Sequence, residues 1–191
     1  MFGAMRFLTF LFWLLALPAF ADPVAYTLQA DQSRVAFTWA FGQTPVTGRM
    51  PVSRADLALD FDRPENSRVA VTLNAASANP GNPLADGAMK GNSVLWTDKY
   101  PEISFVSKRV RRDGQGGAII DGDLTMRGVT RPQTLRARLY RPGNTNPGDR
   151  RRLTIRLDGS LSRAAFGADG YKSMVGDRIV LDISALIVQS R

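Results

Sequence analysis

The sequence of 191 residues contains no cysteine and no histidine. Without cysteine there is no disulfide framework and no thiolate chemistry, even in a compartment that permits disulfides. Without histidine the commonest general base, the usual transition-metal ligand and every Ser-His or Cys-His nucleophile arrangement are missing. Most enzyme classes fall with these two residues, and the expectation is a protein without catalysis, metal or cofactor. Long apolar runs are almost as scarce. One stands at residues 7–17, between Arg6 and Pro18, and Ala19-Phe20-Ala21 follows it. The run is shorter than the roughly 20 residues of a membrane-spanning helix. A charged start, an apolar middle and an A-x-A site make a secretory leader. Residues 1–21 are therefore expected to be removed after Ala21, leaving 22–191 as one exported, soluble domain.

Charge is present in quantity and mostly of one sign. Lys and Arg number 25 against 17 Asp and Glu, a net charge of +8, of which the leader takes only Arg6. The arginines are spread along the chain, as in Arg109, Arg111 and Arg112, then Arg136, Arg138 and Arg141, then Arg150, Arg151 and Arg152. Such dispersal argues against a dedicated nucleic-acid reader. It suits a solvated face, or transient contact with an anionic membrane surface or a membrane protein.

The remaining pattern is strand and turn, with little helix. Val35, Phe37, Trp39 and Phe41 alternate with Arg34, Ala36, Thr38 and Ala40, the period of a half-buried strand. The same alternation runs through Leu57, Leu59 and Phe61, then Val69, Val71 and Leu73, then Ile103 and Phe105. It returns in Ile120, Leu124 and Met126, in Leu135, Ala137 and Leu139, in Leu153, Ile155 and Leu157, and in the closing run 179–187. Glycine and polar clusters at 62–67, 113–117 and 142–149 read as turns. Two stretches break the pattern: 83–96, with apolar residues at rough helical spacing, and 163–176, a helical turn and loop. No composition shift divides the chain into two domains. About eight antiparallel strands, each with one apolar face, imply a closed barrel or a sandwich. A small barrel either fills with side chains or holds one ligand, and pattern alone does not choose.

The ordered motifs add a resemblance. Tyr26-Thr27-Leu28 with Ser33-Arg34-Val35-Ala36-Phe37 opens the set, and Gly48 and Leu57-Ala58-Leu59-Asp60-Phe61-Asp62 continue it. Tyr100-Pro101-Glu102-Ile103-Ser104-Phe105-Val106-Ser107 and Gly122-Asp123-Leu124-Thr125-Met126-Arg127-Gly128-Val129-Thr130-Arg131-Pro132 come next. Ser162-Arg163, Phe166-Gly167 and Val175-Gly176-Asp177 complete it. Across residues 22–191 the chain resembles the YceI family, the polyisoprenoid-binding, lipocalin-like proteins of bacterial periplasms. The resemblance implies an all-β fold: a closed antiparallel barrel of about eight strands with short helical crossovers. It also implies a periplasmic location and a carrier whose cavity holds an isoprenoid lipid, an isoprenoid quinone or a polyprenyl phosphate. Many members carry an Arg-Asp-x-His segment before the Tyr-Pro motif. Here Asp86 falls at the Asp, Ala85 and Ala88 at the Arg and His, and Trp96 where an acidic residue is usual.

An apolar tunnel needs apolar walls. Phe37, Trp39, Phe105, Leu124, Met126, Leu139, Leu157, Phe166 and Met174 are of the right kind, and ordinary core packing is their alternative role. Met89, Val94, Leu95 and Trp96, in the irregular crossover, are expected at the mouth, where methionine adapts in shape and an indole can cover an apolar chain. A polar head group needs donors, and Lys90, Lys99 and Lys172 beside the non-strand segments are the candidates. Two other readings stand beside the carrier. One is a hydrolase or isomerase working on a lipid-like substrate through Asp86 and Asp98. The other is a filled barrel that serves as an interaction module for a membrane partner.

Overall fold

Most strands of this chain have one apolar face, and the computed structural model shows that face turned inward around a closed ring. It describes residues 22–143, 145–146 and 148–190. The leader assigned to residues 1–21, and Asn144 and Pro147 of the 142–149 turn, lie outside the described residues. The strands are β1 (Val24–Leu28), β2 (Arg34–Phe41), β3 (Thr44–Arg49), β4 (Val52–Leu59) and β5 (Arg68–Asn74). They continue as β6 (Glu102–Arg112), β7 (Ala118–Met126), β8 (Val129–Tyr140), β9 (Arg152–Ser162) and β10 (Arg178–Gln189).

All the strand pairs are antiparallel. The ring runs β1-β4-β5-β6-β7-β8-β9-β10 and closes where β10 returns to β1, with Tyr26 opposite Gln189 and Leu28 opposite Ile187. β2 and β3 do not add positions to this ring. β10 gives residues 187–189 to β1 and residues 180–184 to β2 on the same edge. β1 and β2 are thus one barrel strand broken by a 3-10 turn at Ala30–Gln32, and β3 and β4 are its hairpin partner broken at Met50-Pro51. The eight-strand expectation is met by ten segments. β3 is the strand the sequence pattern does not announce, and it carries Pro45. A proline is tolerated there because, among the described residues, the outer edge of β3 makes only the bridge Arg49–Asn79.

The non-strand segments fall at opposite ends. At one end β5 crosses to β6 through residues 75–101, which include a 3-10 turn at Pro83–Ala85 and one helical turn, α1 (Asp86–Lys90). The β9–β10 loop, with its 3-10 turn Ala164–Phe166, lies at this same end. At the far end are the turns 60–67 and 113–117 and the described residues 141–143, 145–146 and 148–151 that follow β8. Buried residues concentrate toward the crossover, where Leu95, Phe166 and Ala168 pack with Ile103, Phe105 and Met126. A second cluster of Tyr26, Leu57, Leu59, Leu153 and Ile187 packs the wall near the far end.

Candidate functional site

The inward face leaves space. A cavity of about 720 Å³ runs along the barrel, within the roughly 300–1,000 Å³ of ordinary ligand sites. Its wall is made by the alternation itself. Phe37 and Trp39 come from β2, Phe105 from β6, Leu124 and Met126 from β7, Leu139 from β8 and Leu157 from β9, and all line it. Met89, Val94 and Leu95 of the crossover line it too. Glycines decide how two of the aromatic rings lie. A Cβ at Gly48 would run into the Phe37 ring, and one at Gly122 would stand 2.6 Å from Cζ of Phe105. Each ring occupies the space that a neighbouring side chain would fill.

At the crossover end the polar groups are spent on the fold. Trp39 Nε1 donates to the Pro80 carbonyl at 3.0 Å, tying the start of the crossover to β2. Arg163 is 5% exposed. Its guanidinium donates to the carbonyls of Gly176, Ala168, Gly170 and Val175 and so fastens the β9–β10 loop. Ala85 and Ala88 line the cavity here, while Asp86 is turned to Lys90 at 2.9 Å. Asp98 is exposed, and neither of the carboxylates that a hydrolytic reading needs is on the cavity wall.

Six of the residues expected at the ligand are placed elsewhere. Trp96 has a left-handed backbone, φ 51°, which turns its ring against Tyr100 (centroids 5.7 Å apart) and beneath Lys99, away from the cavity. Leu95, its neighbour, takes the inward place. Phe166 is buried in the packing beneath the β9–β10 loop and does not reach the cavity wall. Met174 lies 48% exposed on that loop. Lys90 pairs with Asp86, Lys99 stacks over Trp96 and Tyr100, and Lys172 pairs with Asp169. No lysine lines the cavity among the described residues.

Apart from Arg163, whose guanidinium is taken up by the carbonyls of its own loop, the charged residues lining the cavity stand at the far end and are mostly arginine. Arg112, Arg138, Arg141 and Arg150 line the cavity there, with Asp60 and the glycines 114, 116 and 117 of the β6–β7 turn. Asp60 is consumed by its own turn. It accepts from the N–H groups of Arg63 and Asp62 and from Asn66, and these bonds hold its carboxyl below the usual range despite partial desolvation. Asp62 forms a two-pronged pair with Arg150 at 2.7 and 2.8 Å, which lowers the aspartate and raises the arginine. Asp113 is lowered by the N–H groups of Gln115 and Gly117, which form its glycine turn.

The signal for these arginines is a change of phase. In β6 the inward residues are Ile103 and Phe105, but a bulge between Ser107 and Arg109 moves the register by one. Val110 then points in and is buried, and Arg112 follows it in the same phase. In β8 the inward series Leu135, Ala137, Leu139 runs on to Arg141. An apolar Val110 set between Arg109 and Arg111 marks the shift in the sequence.

Comparison with known proteins gives a consistent answer. The sequence model of the family described as YceI-like domain matches residues 26–186. The protein YceI of Escherichia coli O17:K52:H18 is 31% identical over 132 residues, covering 69% of this chain and 68% of the relative. A UPF0312 protein of Shewanella sp. strain W3-18-1 is 29% identical over 126 residues, covering 64% of this chain and 66% of the relative. The chain thus matches just under two thirds of that relative's length. Among solved structures, BcnA of Burkholderia cenocepacia superposes with a TM-score of 0.75 at 19% identity, covering 84% of this chain and 99% of that one. A polyisoprenoid binding domain from Saccharophagus degradans, implicated in plant cell wall breakdown, gives a TM-score of 0.60 at 15% identity, covering 87% and 99%. At these identities the two structures speak for the fold.

Proposed function

This chain belongs to the YceI family, and from that membership we propose that it is a binding protein that carries an isoprenoid lipid, a quinone or a polyprenyl phosphate, inside its barrel. The observation that carries the reading is the cavity of about 720 Å³ with an apolar wall running from Trp39 and Met89 at the crossover to Leu139 near the far end. Each methylene moved into such a wall from water contributes about 0.8 kcal/mol. A long unbranched or prenyl chain gains most from an elongated lining of this kind. The description of the S. degradans neighbour as a polyisoprenoid binding domain supports the same ligand class.

Binding rather than turnover is favoured, because Asp86 and Asp98 both stand off the cavity wall. A barrel acting only as a filled interaction module would leave no space of this size. For the compartment, the leader pattern of residues 1–21 supports export to the periplasm, and N-terminal sequencing of the protein from its host is expected to begin at Asp22. For the partner, the exposed Arg112, Arg141, Arg151 and Arg152 at the far end suit transient contact with an anionic membrane surface. The protein should then float with phosphatidylglycerol vesicles at low salt and not with phosphatidylcholine vesicles.

The test of the carrier itself is direct. Organic extraction of protein purified from its native host, followed by mass spectrometry, should yield one isoprenoid lipid per barrel. Protein stripped of lipid should take up added isoprenoid at the same ratio. A stripped protein that binds none, from a preparation that also contained none, would end the reading.

A further inference from the structure

We infer that the far end of the cavity is a site for an oxyanion, the phosphate or carboxylate head of the carried lipid, held chiefly by Arg112 and Arg141. The inference rests on the carrier reading and adds to it the charge and the direction of the ligand. The observations concern which charges at the cavity are already committed. Arg163, at the crossover end, is surrounded by four backbone carbonyls and is buried. Asp60 is held by its own turn, and Arg150 is matched by Asp62.

Arg112 differs from these. Its guanidinium donates to the main-chain carbonyls of Phe61 at 3.5 Å and Asp62 at 2.6 Å, which position it without a direct carboxylate partner. Arg141 makes no side-chain hydrogen bond or ion pair among the described residues. Arg112 closes the inward series of β6 and Arg141 continues that of β8, and only β7 separates these strands. Adjacent strands are spaced about 4.8 Å apart and rise about 3.4 Å per residue. Arg112 is level with Ala118 and Ala137, so Arg141 stands four residues further out, and the two long side chains meet one anion only by reaching toward each other along the barrel axis. The glycines between β6 and β7 keep the approach open, since at Gly114 and Gly116 there is nothing within 4 Å of where a Cβ would stand.

Two features make this an anion site rather than a charged rim. Arginine presents a planar fork of donors that matches a phosphate or carboxylate. The groups also border the apolar wall of the cavity while staying exposed to solvent, so a head group held there keeps its tail in the barrel and its charge-assisted bonds weaken with added salt. The opposite end offers a head group less, because the wall there includes Pro80, Ala85, Ala88, Met89 and Leu95, and its arginine, Arg163, already donates to four backbone carbonyls. The ligand therefore lies with its apolar tail toward the crossover and its head between β6 and β8, on the side away from Lys90, Lys99 and Lys172.

The experiment uses two probes with the same tail, geranylgeranyl phosphate and geranylgeraniol, with inorganic phosphate as a third. Binding to the mature protein is measured at low ionic strength, for the native sequence and for the double variant Arg112→Gln/Arg141→Gln. The native protein should prefer the phosphate ester by about tenfold or more, the scale of one or two hydrogen bonds to a charged group. The double variant should lose that preference and keep its affinity for the alcohol, which also shows that it is folded. The triple variant Lys90→Gln/Lys99→Gln/Lys172→Gln should keep the preference. Equal binding of the two probes by the native protein, or a preference that survives in the arginine variant, overturns the anion site and leaves the carrier standing. Inorganic phosphate binding as tightly as the ester overturns the assignment to a lipid head. Failure of both prenyl probes to bind removes the carrier reading and this site with it.

Discussion

Phe105 and Phe37 lie along the cavity wall because their neighbours have no side chains. At Gly122 an added methyl would stand 2.6 Å from Cζ of Phe105, with the Val106 carbonyl close on its other side. At Gly48 it would stand 2.7 Å from Cε2 of Phe37 and 2.6 Å from the Asn79 carbonyl. Backbone oxygens cannot move aside, so the rings must turn into the cavity or the strands must part. Overpacking of this kind typically costs about 1–3 kcal/mol. Gly122→Ala and Gly48→Ala should each lower the unfolding midpoint in urea by that equivalent and weaken uptake of a prenyl ligand. Gly87→Ala is the contrasting substitution, since Gly87 is in α1 with open space around it. There the better helix former should leave stability unchanged or raise it by up to about 1 kcal/mol. A loss at Gly87 as large as at Gly122 would show that the steric account of the strand glycines is mistaken.

Elements differ in how far alternation reveals them. The strands that line the barrel with Val, Ile, Leu and Phe at every second place were readable, and so were the turns rich in glycine and asparagine. β3 was not, because Thr44-Pro45-Val46-Thr47-Gly48-Arg49 has no apolar face of its own. The crossover was readable only as a break in the pattern. Its hydrophobic residues do not share one face: Leu95 goes inward while Trp96, the next residue, turns out through a left-handed backbone. No periodicity encodes that reversal. For a bulky side chain the left-handed region is disfavoured by roughly 1–2 kcal/mol, and glycine escapes the penalty. Trp96→Ala should therefore be less stable than Trp96→Gly by about 1 kcal/mol, against the usual order of these residues. Both variants should bind a prenyl ligand like the native protein, because the indole is not on the cavity wall. Parallel thermal unfolding and binding measurements decide it: Trp96→Ala more stable than Trp96→Gly, or a lost affinity, would contradict the geometry.

At the scale of the whole molecule, about eight apolar faces with nothing else to cover them implied a closed barrel or a sandwich, and the family resemblance pointed to the barrel. The ring β1 to β10 is the physical answer to that excess. The chemistry at its far end was less legible, since arginines in alternating strands read as a solvated face until the bulge in β6 shifts their phase. The same absence that narrowed the function also fixes how the barrel responds to pH. No histidine titrates between about pH 5 and 8. The groups with displaced titrations are mainly carboxylates of the loops: Asp60, Asp62 and Asp113 at the far end, with Asp169 and Asp177 at the other, all lowered by hydrogen bonds. Asp149 is lowered to about 2, first by its hydrogen bonds from Arg151. A carboxyl whose titration is lowered on folding adds stability above its ordinary value of 3.8, and that stability is lost as pH falls through the lowered value. The unfolding midpoint should therefore stay level from about pH 8 to 5 and decline below the ordinary value of 3.8, with the last of the decline near 2 where Asp149 takes up its proton. In the same acid range Arg150 loses its partner Asp62, so the two far-end loops should loosen before the barrel opens. Calorimetry across this range, with amide spectra of residues 60–67 and 141–151, reads both events. A midpoint that moved between pH 5 and 8, or far-end loops that held until global unfolding, would mean that these carboxylate pairs do not govern the acid response.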